Sequence, residues 1–275
     1  MLTAAIDTGT PNLLASLEGG VLTITFNRPE ARNATTGEML EALDRQLASA
    51  ETDDDVRCIV LTGEGRGFCA GGDVKGFAAD GATGDTGLST DAFINLQRMS
   101  QRATTGRLHL MPKPTICAIN GAAAGSGFSF ALACDLRIMS TSAFLMTAFA
   151  KVGLSGDYGG TVFLSRLVGT AKARELYYLS DRIDADEALR LGIVNWVCAP
   201  DELAAETARI ASRLANGPSA AYRYMKECLN RAITGEVGDC MDLEATHHVH
   251  CFQTADHKAA AQAFVEKRDP VFAGR

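Results

Sequence analysis

The sequence predicts an α/β fold followed by a helical C-terminal region. Short apolar runs of strand length alternate with segments of helical length, and the order strand, helix, strand repeats along the chain. This repeat favours parallel strands that are joined by helical crossovers. After Pro200 the chain changes character, because four helical segments follow one another. We therefore expect an α/β unit at residues 1–199 and a helical unit at residues 200–275, with the boundary near Ala199.

The first predicted elements are a β-hairpin, a helix and a strand. Alternating apolar residues at 13–17 and 21–26 flank a Glu-Gly-Gly turn, which is typical of a hairpin. Residues 35–38, Thr-Thr-Gly-Glu, offer a capping box, and apolar residues at helical spacing continue from there to about Ala50. Residues 58–61 then form an apolar run that indicates a strand.

A glycine-rich loop at residues 63–76 follows this strand. The functional interpretation is that a backbone N–H at Ala70, before Gly71 and Gly72, helps to hold a ligand oxygen. The structural alternative is a glycine-rich turn that is capped by Asp73. We expect a mobile segment at 78–90, which is polar and rich in small residues, and then a helix from Asp91 to about Arg107.

The stretch 114–135 is predicted to form the site itself. Residues 116–119 indicate a buried strand, Asn120-Gly121 ends it, and residues 126–134 have the length and apolar character of a buried helix. Small residues at this junction let a ligand approach the first N–H groups of the helix, which have no intrahelical partner. The positive end of the helix dipole suits a developing negative charge. Close packing of the small residues is the structural alternative.

The later elements alternate strands, helices and a third glycine-rich loop. They are strands at 136–139 and 143–146, a loop at 149–161, helices at 171–179 and 185–191, a strand at 193–197, and helices at 202–214, 218–233, 236–252 and 256–265. Asp157 lies in the loop, and a helix begins after Gly159. An isolated aspartate at such a place serves as a turn former or helix N-cap, or as a catalytic carboxylate.

Composition indicates a globular protein and disfavours several functions. Hydrophobic residues make up 47% of the 275 residues, which suffices for a large core. The balance of 33 acidic against 26 basic residues gives a net charge of −7, which disfavours nucleic acid as the main partner because phosphate backbones require a basic face. Polar residues interrupt the central apolar run, so we expect no membrane span.

The cysteines and histidines match no disulfide or metal pattern. The eight cysteines are widely spaced without a Cys-x-x-Cys pair, which indicates free thiols in a reducing compartment. The N-terminus also lacks the pattern of a signal peptide, and we expect a cytoplasmic location. His247, His248 and His250 are interpreted as a surface or interface cluster, because only the first and last share a helical face. No metal site is expected.

Four motifs stand in a defined order along the chain. They are Phe68-Cys69-Ala70-Gly71-Gly72-Asp73, the stretch Asn120-Gly121-x-Ala123-x-Gly125-x-Gly127, the loop 153–161, and the C-terminal run 263–268 with Pro270 and Phe272. Together they resemble the crotonase family, the enoyl-CoA hydratase/isomerase superfamily. The resemblance implies a spiral core of ββα units and a C-terminal helical trimerisation region. It also implies a homotrimer or dimer of trimers that acts on acyl-CoA thioesters.

The resemblance further implies roles for individual residues. Ala70 and Ser126 would donate the two backbone N–H groups of an oxyanion hole for the thioester carbonyl, with Asp157 as the third catalytic residue. The residues implied in substrate binding are Arg28, Arg32, Ala34, Gly71, Gly72, Asp73, Gly125, Phe149, Phe264 and Lys267. The last two would close over the nucleotide of CoA from a neighbouring subunit. Coenzyme A enters as part of the substrate, and no other cofactor is expected.

The chain departs from the family pattern where the reaction is decided. The two glutamates of typical hydratases would align with Ser129 and Phe149, and neither residue can do acid-base work. Asp157 would align with an aspartate of several non-hydratase members, among them isomerases of dienoyl or ring-epoxide CoA esters and a dehalogenase. The resemblance therefore favours a double-bond isomerase in which Asp157 moves a proton between two carbons. We expect Phe149, Leu154 and Tyr158 to raise the pKa of Asp157.

Three alternatives remain open at this point. The first is an enoyl-CoA hydratase in which Asp157 positions the water alone or with Asp80 or Asp85. The second is a hydrolase or dehalogenase in which Asp157 is a nucleophile and forms a covalent ester. The third is a non-catalytic CoA-binding protein that serves as an assembly partner.

Overall fold

Two β-sheets form the centre of the molecule, which we describe from a computed structural model covering residues 4–73 and 87–274. The strands are β1 (Ala4–Ile6), β2 (Leu13–Glu18), β3 (Val21–Phe26), β4 (Cys58–Gly63), β5 (Gly67–Cys69), β6 (Thr115–Ile119), β7 (Ala122–Ala124), β8 (Leu136–Ser140), β9 (Leu145–Met146) and β10 (Trp196–Cys198). One sheet has the strand order β1-β2-β3-β4-β6-β8-β10, and the smaller one has the order β5-β7-β9.

Helices connect these strands and then form the C-terminal region. They are α1 (Gly37–Thr52), α2 (Thr90–Gln101), α3 (Arg107–Leu110), α4 (Ser126–Ala133), α5 (Gly160–Leu179), α6 (Ala185–Arg190), α7 (Leu203–Ala215), α8 (Ser219–Ala232), α9 (Val237–Phe252) and α10 (Ala255–Val265). A π-helical turn at Arg102–Gly106 joins α2 to α3. Four successive helices therefore follow the last strand, which confirms the prediction from the sequence.

Strand pairing follows the predicted pattern. The hairpin of β2 and β3 is antiparallel, with Leu13 opposite Phe26. From β3 onwards the neighbours β4, β6, β8 and β10 are all parallel, as are the three strands of the smaller sheet. Parallel neighbours need crossovers, and here the helices between the strands provide them. In the register of β6 and β8, Ile119 lies opposite Met139.

The large sheet is covered on both faces. One face packs against α1, α4 and the smaller sheet, and its core includes Phe26, Phe68 and Phe130, whose rings meet edge to face at 5.7 Å. The other face packs against α7 through residues that include Val60, Ile116 and Ile210. Burial on both faces explains why the central strands β4 and β6 are mostly apolar rather than alternating.

Several boundaries differ from those predicted. The cap of α1 is Thr36, whose hydroxyl accepts from the Met39 N–H, whereas the Thr35 amide donates to the Gly71 carbonyl. The predicted helix over 171–179 is the second half of the longer α5, which kinks at Gly169. Strand β1 was not predicted, and it is only three residues long. Part of the segment 78–90, including Asp80 and Asp85, lies outside the described residues.

A buried lysine fastens the C-terminal helices to the sheet. The Nζ atom of Lys226, in α8, donates to the Leu108 and Lys113 carbonyls and to the Asp135 carboxylate at 2.9–3.1 Å. Asp135 in turn accepts from the amide and hydroxyl of Thr115 at the start of β6. Because α7 also packs on the sheet, the predicted boundary near Ala199 stays a prediction. None of the described helices has the length and apolar character needed to cross a membrane.

Candidate active site

The glycine-rich loop after β5 and the junction before α4 meet face to face. A Cβ atom placed on Gly71 would lie 2.9 Å from the Ala124 carbonyl oxygen and 3.6 Å from the Gly125 Cα. Gly71 also has a φ of +95°, which L-residues rarely adopt. The two bends that the sequence analysis singled out are therefore in direct backbone contact, and a side chain at Gly71 would separate them.

Two asparagine side chains hold the first bend in place. The Asn120 amide nitrogen, at the end of β6, donates to the Gly63 and Gly65 carbonyls at 2.8 and 2.9 Å. The Asn33 amide nitrogen donates to the Gly67 carbonyl at 2.7 Å. Gly63 ends β4, Gly65 lies in the turn and Gly67 begins β5, so these side-chain donors bind carbonyls around the turn and fix the course of the chain into β5. From the sequence, Asn120 was expected to end the strand and to be part of a motif, but no bond of its side chain was predicted.

The backbone donors at this junction differ in part from the expectation. The Ala70 N–H already donates to the Arg32 carbonyl at 3.0 Å. The assignment of Ala70 to the oxyanion hole is therefore wrong, since one N–H pointed at Arg32 is not available to a ligand. The Gly72 N–H, two residues later, forms no hydrogen bond to any described residue. Ser126 is the first residue of α4, so its N–H has no intrahelical partner.

Asp157 is a partly buried carboxyl group beside these bends. Burial raises its pKa from 3.8 to about 6, and its Oδ1 atom is enclosed without a hydrogen-bond partner. The negative charge of Asp157 contributes to the raised pKa of the Cys69 thiol, which places the two side chains near each other. The raised pKa expected for Asp157 is confirmed. Its alternative role as a helix cap is wrong, because the N-cap of α5 is Gly159.

The residues expected to replace the hydratase glutamates surround Asp157 without acting as acids or bases. The Ser129 hydroxyl donates to the Asp157 carbonyl at 3.0 Å, so it holds the loop. The buried Phe149 ring stacks on Tyr177 at 6.0 Å between centroids and at an interplanar angle of 5°. A Cβ on Gly125 would lie 3.9 Å from the Phe149 ring edge, so this ring reaches the N-terminus of α4.

Two neighbours of Asp157 behave differently from each other. Tyr158 is buried with a φ of +47°, and its hydroxyl pairs with that of Ser100 in α2 at 3.0 Å. Leu154 is 58% exposed in the single chain, so it does not exclude water from the Asp157 carboxyl group as expected. Tyr177 was not among the predicted site residues, because its helix carries no motif.

The two segments expected to bind CoA lie side by side. The Thr35 N–H donates to the Gly71 carbonyl, which adds to the bond between Ala70 and Arg32. The Arg28 guanidinium donates to the Ala34 carbonyl at 2.7 Å and pairs with the Asp73 carboxylate at 3.1 Å. The structure thus brings together Arg28, Arg32, Ala34 and residues 70–73, but the Asp73 carboxylate offsets the charge of Arg28.

Phe264 and Lys267 are not brought to this place within one chain. Phe264 is 85% exposed at the end of α10, and no hydrogen bond or ring contact of the described residues joins either residue to the Asp157 loop. Their expected contribution from a neighbouring subunit stays a prediction. His247 stacks on Tyr224 at 4.3 Å. No group of three potential metal ligands occurs in the described ranges.

The arrangement is suited to proton transfer next to a developing negative charge. Asp157 has a pKa about one unit below neutral pH, so it is ionised and still basic at pH 7. The Gly72 and Ser126 amides and the N-terminus of α4 are positive groups that suit an oxyanion. Asp80 and Asp85, the other carboxylates considered from the sequence, lie outside the described residues.

Comparison with known proteins gives a consistent result. The family model described as "Enoyl-CoA hydratase/isomerase" matches residues 16–275. A 1,2-epoxyphenylacetyl-CoA isomerase of Escherichia coli (strain K12) is 39% identical over 266 residues, which cover 96% of this chain and 98% of the relative. A short-chain-enoyl-CoA hydratase of Clostridium acetobutylicum is 34% identical over 258 residues, which cover 94% and 95%.

Solved structures show the same similarity. The crystal structure of an enoyl-CoA hydratase from Polaromonas sp. JS666 superimposes with a TM-score of 0.87 at 32% identity, covering 94% of this chain and 99% of that chain. The structure of an enoyl-CoA hydratase from Bacillus anthracis superimposes with a TM-score of 0.85 at 30% identity over the whole of both chains.

Proposed function

The chain belongs to the enoyl-CoA hydratase/isomerase family and has the crotonase fold expected from its sequence, and from this premise we propose that it is an isomerase-type member. The family implies an acyl-CoA thioester as substrate. The proposed reaction is a shift of a double bond through an enolate, with Asp157 as the proton shuttle. The observation that carries this proposal is the raised pKa of the Asp157 carboxyl group beside the junction of the two bends.

The proposed oxyanion hole uses the amides of Gly72 and Ser126. When a base removes a proton from the carbon next to a thioester carbonyl, negative charge moves to the carbonyl oxygen. Two fixed N–H donors stabilise that oxygen, and removing one such donor costs roughly 3–4 kcal/mol in comparable sites. Gly72 replaces Ala70 in this role, because the Ala70 N–H is bonded to Arg32.

One carboxylate suffices for the proposed isomerisation. Asp157 takes a proton from one carbon, holds it as a carboxylic acid and returns it to another carbon of the same enolate. Water addition by two carboxylates is disfavoured, because Ser129 is bonded to the Asp157 carbonyl and Phe149 is apolar. The relatives include an isomerase and hydratases, so a hydratase that uses Asp157 with a bound water is the second candidate.

We further propose that the CoA part of the substrate lies along Arg28 to Ala34 and residues 71–73. A closed trimer or a dimer of trimers would supply Phe264 and Lys267 from the adjacent subunit. Cationic side chains there suit the phosphates of CoA. The cytoplasmic location expected from the sequence stays a prediction.

The proposal is tested with Asp157→Asn and a panel of unsaturated acyl-CoA esters in normal and heavy water. We expect the wild type to incorporate deuterium without a gain of one water in mass, and Asp157→Asn to lose 10²- to 10⁴-fold in turnover, the usual contribution of a general base. A product heavier by one water would instead identify the hydratase. Unchanged turnover in Asp157→Asn would exclude the proton shuttle.

A further inference from the structure

The Tyr177 hydroxyl is a polar group beside the proposed site to which no role has been assigned. Tyr177 lies near the end of α5, and its ring packs against the main core. The hydroxyl forms no hydrogen bond to any described residue. Tyr177 is partly buried, and its hydroxyl is a donor that no described group of the protein uses, so it is free to bind a ligand.

The hydroxyl lies over the backbone on both sides of Asp157. A Cβ on Gly160 would be 2.6 Å from the Tyr177 hydroxyl oxygen, and a Cβ on Gly156 would be 3.7 Å from it. The Ser129 hydroxyl approaches the same point at Gly160, but it is already bonded to the Asp157 carbonyl. The absence of side chains at residues 156 and 160 is thus what allows the tyrosine to reach the Asp157 loop.

Electrostatics keep this hydroxyl protonated. Burial, and after it the charge of Asp157, raises the pKa of Tyr177 above its usual value of 10. Tyr177 is therefore a hydrogen-bond donor at neutral pH, whereas ionised Asp157 is an acceptor only. The Asp157 Oδ1 atom also has no partner. A donor and an acceptor that are close but not bonded to each other match an oxygen atom placed between them.

The ring that carries the hydroxyl is held in position. Phe149 stacks on Tyr177, and the edge of Phe149 reaches the Gly125 turn at the start of α4. Phe149 therefore bridges the N-terminus of α4 and Tyr177, whose hydroxyl lies over the loop that carries Asp157. A hydroxyl fixed in this way loses little freedom when it binds, which favours a specific contact.

We propose that Tyr177 is a further catalytic residue whose O–H donates a hydrogen bond to an oxygen atom held between it and Asp157. The oxygen belongs either to the acyl group near its reacting carbons or to a water molecule bound there. The inference rests on the proposed function only in that it uses the same acyl-CoA site. Its test therefore separates ligand binding from turnover.

The first measurement compares two CoA esters that differ by one hydroxyl group. Tyr177→Phe is combined with Asp157→Asn, and the affinities for 3-hydroxybutyryl-CoA and butyryl-CoA are measured by calorimetry against Asp157→Asn alone. If the oxygen belongs to the acyl group, Tyr177→Phe lowers the affinity for 3-hydroxybutyryl-CoA about tenfold or more. The affinity for butyryl-CoA should change by less than about twofold. This readout needs no turnover, so it decides the inference even if the isomerase proposal fails.

The second measurement addresses water as the source of the oxygen. Turnover of the acyl-CoA ester that the wild type converts fastest is compared between the wild type and Tyr177→Phe. A tenfold loss of turnover with unchanged affinity for both saturated esters assigns the contact to an oxygen that neither ester carries, which is the bound water. The control is Tyr178→Phe, a neighbour that is 74% exposed and should change neither measurement. Equal weakening of both esters, or no loss in either measurement, would overturn the proposal.

Discussion

The Asp157 carboxyl group, which we propose as the proton shuttle, destabilises the fold when it is ionised. Its pKa of about 6 means that the ionised carboxylate is less stable in the folded protein than in the unfolded chain, so ionisation favours unfolding. The cause is burial without a partner for Oδ1, rather than a nearby negative charge. The same feature makes the group a stronger base than a solvated aspartate, so function and stability are opposed at this residue.

At the residue scale we first predict that Asp157→Asn stabilises the protein at neutral pH. A folded pKa of about 6 against 3.8 corresponds to about 1–3 kcal/mol of destabilisation above pH 6. Because the folded carboxyl group takes up its proton as the pH falls from 6 to 4 while the unfolded one stays ionised, the gain should shrink across that window. Urea unfolding at pH 7.5, 5 and 4 measures it. A gain that is absent at pH 7.5 or independent of pH would contradict this account.

The pH dependence of turnover provides the second prediction. Asp157 must be ionised to take the first proton, so kcat/KM should fall about tenfold for each pH unit below about 6 and level off above pH 7. Initial rates from pH 4.5 to 8.5 test this, with Tyr178→Phe as the control that retains the profile. A rate that stays flat down to pH 4.5 would assign proton transfer to another group.

Individual residues also show what the sequence could and could not predict. Ser126 and Asp157 could be named as candidates from the sequence because glycine turns and a helix start are local patterns. The direction of a single backbone N–H depends on contacts between distant segments. The Ala70 N–H is not available to a ligand because it donates to the carbonyl of Arg32, which lies on a different segment. Tyr177 escaped notice for the same reason, since only the tertiary fold brings its hydroxyl over Gly156 and Gly160.

The element that matters most for the site is the contact between the two bends. We predict that Gly71→Ala lowers kcat about 100-fold or more, because its Cβ would meet the Ala124 carbonyl at 2.9 Å and displace the Gly72 amide. The strained φ costs about 1 kcal/mol as well. Far-UV circular dichroism and kcat are measured together.

Gly192→Ala is the matched control for this substitution. Gly192 has a φ of +71° and no atom within 4 Å of its missing Cβ, so it shares the backbone strain without the collision. We expect a similar loss of stability and unchanged kcat. If the two variants lose activity equally, global destabilisation rather than the contact between the bends would explain the effect.

Elements of regular pattern were predicted well, and irregular ones were not. The hairpin, the parallel strands and the four terminal helices follow from apolar spacing, which is a property of each segment alone. The smaller sheet has strands of two or three residues, which carry little periodicity, and only β9 lies within a predicted strand, the one at 143–146. The π-helical turn at Arg102–Gly106 has no such signal either; it follows α2, whose Ser100 hydroxyl pairs with that of the buried Tyr158.

At the scale of the whole molecule, Lys226 connects the helical region to the sheet. We predict that Lys226→Met destabilises the protein by about 3–5 kcal/mol, because it leaves Asp135 and two carbonyls without their donor. Lys172→Met removes a partly exposed pair with Glu175 and should cost under about 1 kcal/mol. Urea unfolding of both variants tests this. Equal costs would show that Lys226 is not the anchor described above.

The last prediction concerns assembly, which would complete the CoA site. The C-terminal helices expose large apolar side chains that include Leu229, Val237 and Met241, at 63–75% exposure. A single chain leaves this surface in water, and contacts between copies would bury it. We therefore expect a trimer of about 87 kDa from chains of 29.1 kDa, or twice that mass, by light scattering.

Leu229→Lys with Met241→Glu should lower the mass and raise KM for acyl-CoA. The control Glu206→Lys, on the partly exposed face of α7, should change neither the mass nor KM. A wild-type monomer with full CoA affinity would refute the proposed contribution of Phe264 and Lys267 from a neighbouring subunit.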